Sequence, residues 1–342
     1  MTALRHRVDA ALNTFLDRQG PKWPDGALDT VRSFVLAGGK RLRPAFCYWG
    51  WRAAGGEDCP EVVTAAAALE MFHAFALIHD DIIDSSDRRR GEPSLHRRFA
   101  DVHTRQAWRG DPAAFGRNTA LLCGDLCAAW AEQMFHECGL PAGRIQAAYG
   151  TFARMRTEVI GGQYLDLVSG AGDGSVAGAL TVIRMKAARY TVTRPLQIGA
   201  RLAGGSPALD AAFTAFGDPL GDAFQLRDDI LGVFGDPATT GKSTLDDLRE
   251  GKPTVMMALT REAATPAQKA RLEALFGDPT LDRTGADELR TIIVATGALS
   301  QTEHMIATRA EAARAALAEI PLLPPVREAL SALAAAAVSR EH

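Results

Sequence analysis

"LIHDDIIDSSDRRRG", residues 77 to 91, sets four aspartates within eight positions of an apolar run and follows them with three arginines. Leu77, Ile78, Ile82 and Ile83 recur at helical spacing, so the stretch predicts a helix with Asp80 and Asp84 one turn apart on one face and Asp81 beside them. Carboxylates held that close raise one another's pKa unless a cation neutralises them, and clustered carboxylate oxygens suit a hard ion such as magnesium. Taken alone, the cluster also fits a solvated helix face or an acidic helix start. Asp87 is expected to end the helix at "SSD". Arg88, Arg89 and Arg90 carry the side chain best shaped to grip phosphate oxygens. Metal-binding carboxylates beside phosphate-binding guanidinium groups point to a metal-bridged polyphosphate ligand.

Working outward, the 342 residues are 47% hydrophobic, with no Pro-, Ser- or charge-rich linker, which predicts one large domain over residues 1–342. Alanine, leucine and arginine recur at three- and four-residue steps and β-branched runs are few, so the fold is expected to be all-α, without strands. Pro195 inside "MKAARYTVTRPLQIGA" should kink or interrupt a helix. A net charge of -3 argues against a nucleic-acid-binding surface. Five cysteines at irregular spacing fit a reducing compartment, and no signal peptide or transmembrane segment is apparent, so a soluble cytoplasmic protein is expected. Cys123 and Cys127 share a helix face at metal-ligand spacing, but small core residues are the simpler reading.

A second cluster, "FQLRDDILGVFGD" at 224 to 236, sets Asp228 and Asp229 in an apolar helix behind Gln225. It could form a second metal wall, clamping one diphosphate opposite the first, or an ordinary buried network with Arg227. "GGKRLRP" at 38 to 44 places Lys40, Arg41 and Arg43 after a glycine pair, a basic loop or a phosphate grip. Lys186, Lys242 and Lys252 are unremarkable singly; together with the two clusters they outnumber what one diphosphate requires.

These motifs, with "CGDL" at 123 to 126, "GGQYLDL" at 161 to 167, "YTVTRPLQIGA" at 190 to 200 and "DDLREGKPT" at 246 to 254, resemble those of the trans-isoprenyl diphosphate synthases, the polyprenyl synthetase family, over nearly the whole chain. The resemblance implies the all-helical isoprenoid synthase fold with a deep central cavity. It also implies a homodimer that condenses isopentenyl diphosphate with dimethylallyl, geranyl or farnesyl diphosphate. By the same resemblance the DDxxD aspartates Asp80, Asp81 and Asp84, with Asp228 and Asp229, bind two or three Mg2+ ions. Arg89, Lys186, Gln225, Lys242 and Lys252 should then contact the allylic diphosphate, and Lys40, Arg43, His73 and Arg90 the homoallylic one.

Two departures stand out. Gly232 occupies the last aspartate position of the second motif, leaving its third carboxylate absent or supplied by Asp236, and Ala187 removes a hydroxyl beside Lys186. Phe75 and the small Ala76 before the first motif, with Phe72 as a possible floor, resemble geranylgeranyl-type more than farnesyl-type synthases, although plain core packing would place phenylalanines there too. His79 is expected to be a hydrogen-bonded neighbour of the aspartates rather than a base. The rival functions are a class I terpene cyclase, which would not need the second cationic pocket, a synthase making mainly farnesyl diphosphate, and a non-catalytic partner subunit.

Overall fold

The computed structural model describes residues 2–20, 27–170, 172, 174–236 and 244–338. It divides into two compact units, Met1–Gly150 with Pro195–Ser206, and Thr151–Arg194 with Pro207–His342.

The first unit is built on α4 (Pro60–Ile83), which packs against α1 (Thr2–Gln19), α3 (Leu42–Ala53) and α6 (Pro112–His136). Its middle, Ala65 to Ala68 followed by Leu69, Met71 and Phe72, is buried, the alanines letting neighbouring helices approach closely. By length and composition α4 could cross a membrane, yet its apolar stretch is mostly covered by these neighbours and it carries the buried Glu70. Pro60 starts it where a helical amide has no partner to lose. Asp111 caps α6 by accepting from the amides of Ala113 and Ala114. Also present are α2 (Ala27–Leu36), α5 (Leu95–Arg105) and the start of α7 (Ala142–Gly170).

The segment 195–206 returns to this unit because two glycines permit backbone contact. A Cβ on Gly50 would stand 2.8 Å from the Leu196 carbonyl carbon, and one on Gly199 2.7 Å from the Trp51 nitrogen.

The second unit holds the rest of α7, then α8 (Val176–Val182), a π-helical segment (Ile183–Thr193) and the start of α9 (Arg194–Leu202). There follow α10 (Pro207–Phe234), α11 (Asp246–Arg249), α12 (Val255–Ala263), α13 (Pro266–Leu275), α14 (Arg283–Ala295), α15 (Ala298–Glu319) and α16 (Pro324–Val338). Leu226, Ile230 and Val233 of α10 form its core with Leu248, Met256, Leu289, Ile293 and Ile306. Thr265 and Gln268 close α13 with a reciprocal capping box.

Pro195 does not end the helical run. The residue before it donates its amide to Arg189, five residues back, so the change from π to α register falls where proline has no hydrogen to offer.

The all-α expectation holds, with one exception among the described residues. Arg88–Arg89 and Glu92–Pro93 pair as a two-residue antiparallel ladder, joined by Arg90 and Gly91 with φ of 55° and 79°. Positive φ at both central residues is the two-residue turn that matches strand twist. Glycine adopts it freely, whereas Arg90 is held in a conformation non-glycine residues seldom take.

Candidate active site

The first acidic cluster lies at the C-terminal end of α4, so it is not an acidic helix start. Asp80 and Asp81 are in the last turn and Asp84 is the C-cap. Ser85 follows with φ of 53°; its amide reaches the Ile82 carbonyl, and the Ser86 amide reaches that of Asp81 at 2.9 Å. This is the Schellman pattern, and it fixes the direction in which the chain leaves the aspartates. Three carboxylates at the negative end of a helix dipole repel both it and one another, which calls for cations.

Arg89, delivered by the hairpin, is the first such cation. Its Nε donates to Asp81 Oδ1 at 2.8 Å and its NH2 to Asp81 and Asp80. Burial opposes its charge, yet Asp81, Asp80 and Asp84 hold its pKa above the ordinary arginine value. Asp87 does not end the helix as the sequence suggests: α4 stops at Ile83, and Asp87 instead accepts from Arg97 Nε of α5 at 2.6 Å. The helix ends earlier because Ser85 turns left-handed.

The basic groups of the first unit converge. His73 is half-buried and its pKa is lowered well below the usual value, first by desolvation and then by Arg43, Arg90, Arg89 and Arg41 around it. Arg90 donates to the Gly38 carbonyl at 2.8 Å and lies against Gly39, joining the hairpin to the glycine loop. Burial lowers its pKa; Glu70 counters this, and the guanidinium groups of Arg41, Arg89 and Arg43 add to the lowering. A cationic site in which an arginine is disfavoured this way gains when an anion enters.

Arg41, grouped by sequence with Lys40 and Arg43, is instead structural. It donates to Glu70 at 2.6 Å, to Asp9 at 2.8 Å and to the Val35 carbonyl at 3.0 Å. His79 is hydrogen-bonded, with its partners on α6: its Nε2 is 3.2 Å from the Leu121 carbonyl and 3.5 Å from Asp125. A Cβ on Gly124 would collide with the imidazole, which gives "CGDL" its glycine. Cys123 and Cys127 are buried core side chains. Phe72, 1% exposed, stacks on the half-buried Phe75 at 5.1 Å, and Phe75 on His79 at 4.6 Å.

In the second unit, Asp228 and Asp229 stand within two turns of the C-terminal end of α10. Arg227 does not neutralise them, since both its terminal nitrogens bond Glu303, at 2.6 and 2.7 Å. Gln225 Nε2 donates to Asp229 Oδ1 at 2.9 Å. Burial pushes the Asp229 carboxyl up to about 6, against the pull of Lys252 and Gln225, with Asp247 and Asp228 raising it further.

That shift predicts a pH dependence. The folded chain holds a proton on Asp229 up to about pH 6, whereas the unfolded chain releases it near pH 4, so this contribution to stability is present below about 4 and lost as pH rises through 6. Asp229→Asn should therefore stabilise the metal-free protein by on the order of 3 kcal/mol at pH 8 and by little at pH 4. Urea unfolding of both proteins across that range checks it; an equal difference at both ends contradicts it.

Lys186 lies on the π-helical segment and donates to Asp166 Oδ2 at 2.7 Å, a partner the sequence did not suggest. Gly162 makes room for it: a Cβ there would lie 2.8 Å from Lys186 Cα. Lys242 lies outside the described residues. Asp236 is exposed beyond the end of α10. Besides Asp166, sequence reading missed Asp247, whose carboxylate packs against Gly232.

Among the described residues, no three His, Cys, Asp or Glu side chains are gathered into a self-sufficient metal site. Magnesium seldom requires one; it keeps waters and binds through one or two carboxylates plus substrate phosphates. The donors present are all hard carboxylate oxygens, with that of Asp247 seated against Gly232, and they fit such an ion.

An all-helical protein with carboxylates at helix ends and guanidinium groups massed nearby is equipped to hold a multiply charged anion through cations. The chain belongs to the polyprenyl synthetase family, whose model matches residues 26–293, and is a prenyltransferase. It is similar to geranylgeranyl pyrophosphate synthase from Corynebacterium glutamicum, crystallised with isoprenyl diphosphate and magnesium: 42% identity, 99% of each chain covered, TM-score 0.95. Geranylfarnesyl diphosphate synthase of Aeropyrum pernix is 32% identical over 303 residues, 87% of this chain and 89% of that one. Octaprenyl diphosphate synthase of Escherichia coli is 32% identical over 311 residues, 90% and 88%.

Proposed function

We propose that the chain condenses isopentenyl diphosphate with an allylic diphosphate and makes geranylgeranyl diphosphate as its main product. The observation that carries this is the packing of Arg43, Arg89 and Arg90 around half-buried His73, beside the aspartates of α4, an arrangement that favours a diphosphate anion. Lys40, Arg43, His73 and Arg90 are assigned to isopentenyl diphosphate, a nucleophile with no other polar handle. Arg89, Lys186, Gln225, Lys242 and Lys252 are assigned to the allylic diphosphate.

Asp80, Asp81, Asp84, Asp228 and Asp229 are assigned to magnesium, the ion bound in the Corynebacterium relative. When bound, it acts as a Lewis acid on the departing diphosphate. The carbon–oxygen bond of the allylic diphosphate breaks, the isopentenyl double bond attacks the resulting cation, and the departing diphosphate accepts the proton that is lost. The protein's own part is positioning, charge stabilisation and exclusion of water. The exposed Leu121 and Leu122 of α6 offer an apolar face for a second copy, and the free cysteines suit a reducing cytoplasm.

The test is incubation with magnesium, isopentenyl diphosphate and each of dimethylallyl, geranyl and farnesyl diphosphate, with product lengths identified. Chain growth ending mainly at twenty carbons is expected; cyclic hydrocarbons without elongation would support a cyclase instead. Phe75→Ala removes the middle ring of the Phe72–Phe75–His79 stack and should shift products to longer chains. An unchanged length distribution would assign Phe75 to packing alone.

A further inference from the structure

The π-helical segment Ile183–Thr193 carries arginines at a spacing that an α-helix could not use. Arg184, Arg189 and Arg194 are five residues apart, and a chain bonded from each residue to the fifth before it returns every fifth side chain close to one face. In an α-helix, at about 100° per residue, they would point in three different directions. Each meets an acid. Arg184 Nη2 donates to Asp222 Oδ2 at 2.9 Å, Arg189 Nε to Asp218 Oδ2 at 3.3 Å, and Arg194 Nε to Glu158 Oε2 at 2.8 Å. Asp218 and Asp222 are four apart on α10, so a four-residue row of acids is matched to a five-residue row of arginines. The backbones keep the same step. A Cβ on Gly217 would stand 3.0 Å from Thr193 Cα and one on Gly221 2.6 Å from Ala188 Cα, again four residues on α10 against five on the segment. Thr193 adds a hydroxyl bond to Asp218 at 2.7 Å.

Lys186 sits inside this frame, between Arg184 and Arg189, with Gly162 of α7 against its backbone. We propose that the Arg184–Asp222 and Arg189–Asp218 pairs are positioning residues: they hold the segment in π register against α10 and thereby set where the Lys186 amine stands. A run of 11 residues is long for a geometry usually confined to one turn, so bonds from outside the segment must support it. Relaxation to α register would turn Lys186 away from Asp166, to which it donates at 2.7 Å. The inference rests on the assignment of Lys186 to the allylic diphosphate and deepens it. A ladder serving stability alone would lower resistance to urea and act on substrate binding equally with Lys186 present or removed.

The experiment measures KM for geranyl diphosphate and for isopentenyl diphosphate in the full-length enzyme with magnesium. Asp218→Asn keeps the shape of the side chain and an acceptor for Thr193 but removes the charge facing Arg189. It should raise KM for geranyl diphosphate about ten-fold and leave that for isopentenyl diphosphate within about two-fold. Arg189→Gln, at the other end of the same pair, should do likewise, so the outcome does not hang on one variant folding. In a Lys186→Ala background Asp218→Asn should add less than about two-fold, since the group it positions is gone. Met185, whose methyl lies by Gly161, reports the register without substrate: its methyl NMR resonance should move in both variants. An unchanged KM for geranyl diphosphate, an equal effect with and without Lys186, or an unmoved Met185 resonance overturns the proposal. A wild type that elongates no allylic diphosphate overturns the functional reading and, with it, the role given to Lys186.

Discussion

Asp81→Asn lowers kcat/KM for the allylic substrate on the order of a thousand-fold, about 4 kcal/mol of transition-state stabilisation, and Asp228→Ala does likewise. Asparagine matches the shape of Asp81 and leaves the backbone bonds that end α4 untouched, so the loss reads out charge. Asp81 is 1% exposed and held by Arg89, and a neutral side chain there weakens both the grip on a cation and the anchoring of Arg89. Alanine at 81 is the poorer probe, because stranding a buried guanidinium destabilises the fold by about 3–5 kcal/mol in its own right. Asp228 is half-buried, so its alanine variant avoids that complication. Steady-state kinetics with the helical signal monitored in parallel decides it; activity within ten-fold of wild type in either variant would contradict the assigned roles.

Glu70→Ala destabilises the protein by about 3–5 kcal/mol, the range for removing one partner of a buried ion pair. Glu70 and Arg41 are both buried, and Asp9 alone cannot supply the lost hydrogen bond to Arg41 NH1. Arg41 is moreover left-handed at φ 50°, so its side-chain bonds help hold a strained backbone at the start of α3. Because Lys40 and Arg43 flank it, the variant should also raise KM for isopentenyl diphosphate more than it lowers kcat. Urea unfolding and kinetics together test this: a midpoint unchanged from wild type would make the pair dispensable.

The acidic helices were legible because apolar spacing and clustered carboxylates are local signals; α4 and α10 lie where those patterns place them. The basic groups were legible as a set but not in their individual duties, since nothing local separates the buried Arg41 from Arg43 two residues on. The hairpin escaped notice because two-residue strands have no alternation to detect. Asp166 and Asp247 were missed for a different reason: each acquires its meaning from a residue distant in the chain, Lys186 and Gly232 respectively. The early end of α4 depends on Ser85 turning left-handed, which its amino-acid type does not announce.

The first unit contains residues 195–206, seated through Gly50 and Gly199. Its assembly therefore cannot finish when residue 150 leaves the ribosome, for a further stretch of some fifty residues must be synthesised before its last piece exists. A nascent chain stalled near that point should expose the surface of α3 that α9 later covers and be open to chaperone capture and protease cleavage, protection arriving only once Gly199 has emerged.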